Sequence, residues 1–265
     1  MITKAQVKLI QALRLPKNRA TEGLFVVEGV KMVNELLASD HEVVRIFATS
    51  EWPDQALTAK RLRQTGLHEL SEQVPYVEPE VESVKEWELE KISSLSTPNQ
   101  VLALVKIPGE KPMGDLGRQL LLLLDKVSDP GNMGTIIRTA EWFGMNRVIA
   151  SSDSVDFYNP KVVQASMGSV FRMPIHTVDI MDFLAKSTGQ VYGTLFDGEP
   201  LGRDVLTRYG IIIAGNESNG ISPQVQQYVT RKLTIPAATT AASESLNVSM
   251  ATAIVCYEFR RQFPV

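Results

Sequence analysis

The stretch Leu120 to Ser151, LLLLLDKVSDPGNMGTIIRTAEWFGMNRVIAS, holds an apolar run, a glycine-bearing turn, an amphipathic segment and a second short apolar run without filler. Leu120 to Leu124 is continuous in apolar residues, the mark of a strand buried on both faces, and Val148 to Ala150 is a second such strand. Between them Asp129-Pro130-Gly131-Asn132 is turn chemistry, and Met133, Ile136, Ile137, Ala140 and Gly144 share one helical face. The stretch therefore predicts a βαβ unit. Gly134 and Arg138 lie one turn apart on the flank of that helix, an arrangement expected to leave open space for a ligand beside the guanidinium. A glycine-tolerant helix start with a solvated arginine is the simpler account of this block alone.

The chain of 265 residues is long enough for one large or two ordinary domains, and 44% hydrophobic with 22% charged residues is ordinary globular composition. No apolar run approaches the length that spans a bilayer, and the amphipathic N-terminus MITKAQVKLIQALRL does not read as a signal peptide, so a cytoplasmic protein is expected. Cys256 is the only cysteine, and His41, His68 and His176 have no metal-ligand spacing, so neither an internal disulfide nor a metal is expected. The net charge of -3 argues against a uniformly basic nucleic-acid surface. Its distribution is uneven: Lys4, Lys8, Arg14, Lys17 and Arg19 fill the first twenty residues without an acidic one, whereas glutamates crowd the stretch from Glu69 to Glu90. A solvated helix face is the ordinary explanation of such a basic cluster unless other residues point to a polyanion.

Taken in order, Thr3 caps a first helix that ends before Pro16, and a basic loop runs from Pro16 to Gly23. Strands are expected at Leu24 to Val27, Val43 to Phe47, Val74 to Val77 and Val101 to Lys106, with helices at Glu28 to Ser39, Asp54 to Gln64 and Glu80 to Lys91. The Pro- and Gly-rich segment IPGEKPMGDLG, Ile107 to Gly117, reads as a linker. The domain organisation expected is thus residues 1–107, a linker at 108–117, and a second α/β domain over 118–265. That second domain shows strands near Leu120 to Lys126, Arg147 to Ala150, Gln190 to Leu195, Ile211 to Ala214 and Lys232 to Ile235. Helices lie near Asn132 to Phe143, Pro160 to Gly168, Ile180 to Lys186, Pro223 to Val229 and Leu246 to Gln262. Alternation with short connections implies a mostly parallel sheet covered on both faces.

Ligands of open parallel sheets bind beyond the carboxyl ends of the strands, so the loops there carry the functional information. The first holds Asn132, Gly134 and Arg138, and the second is Gly215-Asn216-Glu217-Ser218-Asn219-Gly220. The third runs from Ile235-Pro236 through small residues to Ser245-Leu246-Asn247-Val248-Ser249. Ser245 is the expected cap of the last helix, which leaves Asn247 and Ser249 without a capping role. No Gly-x-Gly-x-x-Gly, no P-loop and no Gly-x-Ser-x-Gly elbow occurs, which sets aside ordinary Rossmann enzymes, P-loop NTPases and α/β-hydrolases.

Together, in this order and spacing, the three loops resemble the three motifs of the SpoU/TrmH family of RNA 2'-O-ribose methyltransferases in the SPOUT superfamily. Asn159-Pro160-Lys161 and Ala165-Ser166-Met167-Gly168 also resemble family residues. Leu24 to Gly29 resembles the start of the family's substrate-binding domain, which is similar to ribosomal-protein folds. The resemblance implies an α/β SPOUT domain with a parallel sheet and a deep trefoil knot, S-adenosylmethionine as cofactor, an RNA substrate and a homodimer. It implies that Gly215, Ile235 and Leu246 contact the cofactor through backbone, with Ser245 beside them and Thr194 and Leu195 at the pocket wall. Arg138, Asn132, Glu217, Asn247 and Ser249 become the catalytic and RNA-facing set, and Lys4, Lys8, Lys17 and Arg19 the candidate grip on RNA. One departure stands out: Ala237 to Glu244 is longer than the family's cofactor loop and lacks its glycine.

A ribose hydroxyl attacks a sulfonium methyl only when oxygen and carbon are held in line, about 3 to 3.5 Å apart, and the developing alkoxide is stabilised. Proteins do not ordinarily deprotonate a guanidinium, so Arg138 is read as an electrostatic clamp rather than a base, with Glu217 expected to orient it and Asn247 or Ser249 to hold the ribose. A turn carboxylate that accepts backbone N–H groups is the competing account of Glu217. Ribosomal RNA is favoured over transfer RNA because a domain of about a hundred residues ahead of the catalytic one suits a bulky folded target. A non-catalytic RNA-binding assembly factor is the rival from another class.

Overall fold

The computed structural model describes residues 1–53, 79–110, 112–203, 205–238, 240 and 245–264. It divides into two compact units, Met1–Gly109 with Tyr158–Gln164, and Glu110–Phe157 with Ala165–Val265. Tyr158 to Gln164, which the sequence reading kept with the second domain, therefore belongs with the first.

The first unit opens with α1 (Lys4–Ala12), held by a capping box in which Thr3 and Gln6 exchange side-chain to backbone bonds. The segment expected as a basic loop is instead a second helix, α2 (Pro16–Glu22): Pro16 starts it at the first position, where no N–H is needed, and Gly23 ends it in the left-handed region. Then come β1 (Leu24–Glu28), α3 (Val30–Leu37), β2 (Val43–Ala48), β3 (Glu80–Ser83), α4 (Glu86–Ile92) and β4 (Val101–Lys106). The single helix expected over Glu80 to Lys91 is thus split. Its first residues pair parallel to β2, and Arg45 bridges to Glu80 at 2.5 Å and Glu82 at 3.6 Å across the strands. Cross-strand charge pairs of that kind favour the strand over the helix that propensity alone suggests. The helix expected at Asp54 to Gln64 and the strand at Val74 to Val77 lie outside the described residues. The sheet order is β1-β4-β2-β3, with β4 antiparallel to β1 and β2, and Ile10, Leu13, Phe47, Leu89, Ile92 and Leu102 pack on it. Tyr158 stacks on Phe25 with centroids 4.6 Å apart, and Gln164 donates to the Glu28 carbonyl at 2.7 Å.

The second unit is built on six strands: β5 (Leu120–Leu124), β6 (Arg147–Ser151), β7 (Ile175–Val178), β8 (Val191–Pro200), β9 (Gly210–Ala214) and β10 (Arg231–Thr234). All pair parallel in the order β10-β8-β9-β5-β6-β7, and β5 and β9 are buried throughout. The expected parallel α/β fold is borne out. Sequence reading missed β7, whose four residues sit at the sheet edge, three of them half-buried and Thr177 exposed. Its helices are α5 (Pro130–Trp142), α7 (Ile180–Ala185), α8 (Pro223–Gln226) and α9 (Val248–Gln262), while α6 (Pro160–Ser166) lies mostly in the segment that belongs with the first unit. No described helix is long and apolar enough to cross a membrane.

The order places β5 beside β9 while their outgoing connections leave to opposite flanks, towards β6 and towards β10. Such a switch point opens a crevice beyond the carboxyl ends of the two strands. The glycine-bearing loops after β5 and β9 meet there.

Candidate active site

The turn after β5 is shaped from beneath by Asp125, which is buried and accepts the Ser222 N–H at 2.7 Å. Lys126 follows in the left-handed region, φ 59, so its carbonyl accepts from the Asn216 amide at 2.8 Å. Asp129 then caps α5 by accepting the Asn132 N–H at 2.8 Å, with Pro130 at the first helical position.

The loop after β9 closes on itself, Asn216 and Gly220 exchanging both backbone bonds. Gly215 is required at its neck, since a Cβ there would lie 2.2 Å from the Gly220 carbonyl carbon. Asn216 is the hub: its Oδ1 accepts the N–H groups of Ser218 and Asn219, and its amide reaches Glu217 as well as Lys126. The Glu217 carboxylate accepts from the backbone of Ser128 and Asp129, the Ser128 hydroxyl and the Asn132 amide. Burial pushes its pKa up, but the backbone bonds from Asp129 and its own N–H, then Asn132 and Ser128, outweigh this and hold it below 4.5.

From Glu217 a hydrogen-bond chain crosses all three motif loops. Asn132 donates to Glu217 at 3.2 Å, Asn247 donates to Asn132 Oδ1 at 2.9 Å, and Asn247 Oδ1 accepts the Ser249 N–H at 2.9 Å and its hydroxyl at 2.6 Å. The polarity is forced at both ends. A carboxylate only accepts, so Asn132 turns its amide to Glu217 and its oxygen to Asn247. Asn247 must then donate, and its oxygen serves the N-terminus of α9. Asn247 is therefore the cap of α9, and Ser245, expected in that role, is exposed and makes no capping bond.

The same chain sets α5 and α9 parallel with their N-termini together. At the far end Arg260 donates to the carbonyls of Phe143, at 2.8 Å through Nε, and of Gly144, at 3.1 Å. Two positive helix ends thus converge on the site, which favours electron-rich ligand groups.

Arg138 is exposed and makes no ion pair or hydrogen bond among the described residues. The expectation that Glu217 orients it is corrected, because that carboxylate is committed to the loop after β5 and to Asn132. Gly134, expected to leave open space beside the guanidinium, is buried. Thr194 and Leu195 are half-buried on β8, and Leu246 is half exposed. Among the described residues the main-chain groups of Gly215, Ile235 and Leu246 enter no backbone pair. Unpaired main-chain donors and acceptors beside apolar side chains are the donor set needed to hold a nucleoside with an amino-acid tail, so these residues fit S-adenosylmethionine. Of the departing loop, Thr239 and 241–244 lie outside the described residues. No group of three or more His, Cys, Asp or Glu side chains gathers at a point among the described residues.

In the first unit Lys4, Lys8 and Lys17 are exposed, but Arg19 is 1% exposed and donates to the Leu13 carbonyl at 2.6 Å. Its assignment to an RNA grip is therefore corrected: it ties α2 to the end of α1. Sequence reasoning missed Asn216 and Asp125, although both stand in quoted motif stretches and a turn amide flanked by glycine was the available signal for Asn216.

Three strand-end loops bonded into one polar chain at a switch point define a ligand-binding site of the parallel α/β class. Residues 119–257 match the SpoU rRNA Methylase family, and residues 4–103 match the MRM3-like substrate binding domain. The chain is 30% identical over 261 residues, 96% of each protein, to the 23S rRNA guanosine 2'-O-methyltransferase RlmP of Bacillus subtilis. A TrmH-family RNA methyltransferase structure from Porphyromonas gingivalis superposes with TM-score 0.83 at 36% identity, covering 99% of both chains. An AdoMet-bound rRNA methyltransferase from Sinorhizobium meliloti does so with TM-score 0.82 at 26% identity, covering 100% of this chain and 97% of that one. The chain belongs to the SpoU rRNA methylase family, and is an RNA methyltransferase.

Proposed function

We propose that this enzyme methylates a ribose 2'-hydroxyl in ribosomal RNA, with S-adenosylmethionine as methyl donor. The observation that carries the reading is the Glu217–Asn132–Asn247–Ser249 chain, which joins the three motif loops at the switch point of the sheet. The donor, when bound, supplies an electrophilic methyl on a sulfonium. Gly215, Ile235, Ser245 and Leu246 hold it, and Thr194 and Leu195 wall the pocket. Arg138, exposed and with no partner among the described residues, would clamp the phosphate and the developing alkoxide of the target nucleotide. Glu217, Asn132 and Asn247 fix the geometry, and the Ser249 hydroxyl oxygen keeps an acceptor lone pair for the ribose.

Residues 1–107 serve as the RNA-gripping part, with Lys4, Lys8 and Lys17 on phosphate, and 118–265 as the catalytic part. The enzyme works in the cytoplasm as a homodimer. The support for a dimer is an exposed apolar stripe: Met250, Ile254 and Tyr257 along α9 and Leu246 just ahead of it are 38 to 58% exposed, and Trp142 on α5 is 83% exposed. Monomers rarely leave such a contiguous patch to water. The trefoil knot belongs to the same reading, and its support is that β10 lies at one edge of the sheet while Asn247, at the start of α9, bonds Asn132 in the loop after the inner strand β5.

The test is to map 2'-O-methyl groups in total RNA from cells with and without the enzyme. Loss of one ribosomal ribose methyl is expected. Loss confined to a transfer RNA overturns the substrate, and no loss under any growth condition leaves the non-catalytic assembly factor.

A further inference from the structure

Trp87 stands on α4 with 45% of its surface exposed, and the Lys91 ammonium, one turn on, lies 4.2 Å from its ring centroid. The core does not need this indole. Leu89 and Ile92, 3% and 1% exposed, carry the buried face of the helix. A ring whose face is covered by a mobile cation offers a π surface that another flat group can take.

What lies beside it decides which group. Gln11 donates to the Lys91 carbonyl at 2.8 Å and Arg14 to the Ser93 carbonyl at 2.6 Å, so the end of α4 is fastened along α1. Lys4, Lys8 and Gln11 follow at i, i+4 and i+7 and are exposed, forming one outward stripe of α1. Residues 1–21 contain no acidic residue, and Arg14 and Lys17 extend the cationic side past the end of α1. Among the described residues the exposed opposing charges of α4 are Glu86 and Glu90, on its next stripe, while Glu88 is spent on the N–H groups of Ile2 and Lys85 and Glu82 accepts from the Gln6 amide. Those two carboxylates would repel a duplex backbone laid along α4. They leave room for a single base on Trp87 whose phosphate turns towards α1.

We propose that this face of the first unit takes an unpaired nucleotide of the substrate RNA, its base stacked on Trp87 and its phosphate on Lys91 and the α1 lysines. The base takes the place of the ammonium on the ring, and the four-carbon stem of Lys91 lets that charge swing to the phosphate. Sequence-tolerant stacking of this kind suits loops and bulges, where bases are already splayed out. The inference rests on the RNA methyltransferase reading above.

The experiment measures binding of full-length protein to ribosomal RNA from cells lacking the enzyme, and to a twelve-nucleotide oligo(U), by filter retention over a salt series. Trp87→Ala should weaken both about 5- to 100-fold with an unchanged salt slope, and Trp87→Phe should stay within about 3-fold of wild type. Lys91→Ala should lower the slope by about 0.7 to 0.9. Affinity for S-adenosylhomocysteine and the thermal midpoint should not move in any of the three, which separates a lost contact from a lost fold. Wild-type affinity in Trp87→Ala overturns the proposal while methyl transfer by the wild type leaves the enzyme class standing. A Trp87→Ala protein that binds naked RNA normally but fails to bind purified ribosomal proteins assigns the face to a protein and also overturns it. Wild-type protein that neither retains nor methylates RNA sinks the methyltransferase reading together with this one.

Discussion

Arg138 and Glu217 show how a residue's bonds define its role. Arg138 has no partner among the described residues, so its planar fork is available to two oxygens of a substrate. Arg138→Lys should therefore lose methyl transfer by at least about 100-fold although charge is kept, while calorimetric affinity for S-adenosylhomocysteine stays near wild type. Activity comparable with wild type would defeat the clamp. Glu217, by contrast, is fully bonded, which removes it from proton transfer and makes it an anchor. Because its folded pKa is depressed, its contribution to stability is present above about pH 4.5 and is lost as pH falls through the lower folded value. Glu217→Gln should cost on the order of 1 kcal/mol at pH 7 and lessen the loss of stability on acidification below pH 4.5. Urea unfolding of both proteins between pH 3 and 7 checks this, and parallel pH curves would refute it.

At the scale of elements, α5 and α9 act as one parallel pair, pinned at the start by Asn132 and Asn247 and at the end by Arg260 on Phe143 and Gly144. Asn247 has two jobs that substitution can separate. Asn247→Ala should lose the cap and about 0.5 to 2 kcal/mol. Asn247→Asp keeps an acceptor for the helix N-terminus but sets oxygen against Asn132 Oδ1, so methyl transfer should fall much further than stability. Equal rank order in unfolding and activity assays would mean that the Asn132 bond carries no catalytic weight. The periodic elements were legible in sequence: five consecutive leucines and the Ile211 to Ala214 run read correctly as buried strands. Elements whose formation depends on a partner were not. β3 forms by backbone pairing to β2, with Arg45 bridging to it, α2 starts at a proline that was expected to end a helix, and β7 is too short and too exposed to announce itself.

For the whole molecule, the stripe along α9 and the indole of Trp142 call for a cover, and a second copy is the proposed one. Ile254→Asp with Tyr257→Glu should halve the mass measured by light scattering and abolish methyl transfer, with far-ultraviolet circular dichroism unchanged. A wild-type protein that is monomeric at micromolar concentration would remove the dimer from the reading. The cationic set of the first unit belongs to this scale too, but is one residue smaller than the sequence suggested, since Arg19 is core.

Composition, periodicity and loop chemistry by themselves determined the two α/β parts, the parallel sheet and the three loops that matter, because strand burial and turn residues are local properties of the chain. The resemblance of those loops to a known family supplied the expected chemistry. Only the tertiary structure decided what each polar residue does there. Asn132, Glu217 and Asn247 look alike in sequence as polar groups near helix starts, and hydrogen bonding is settled by which atoms face each other across separations of 85 and 115 residues. The same holds for Arg19, whose charge is visible in the sequence but whose burial depends on α2 folding back onto the end of α1.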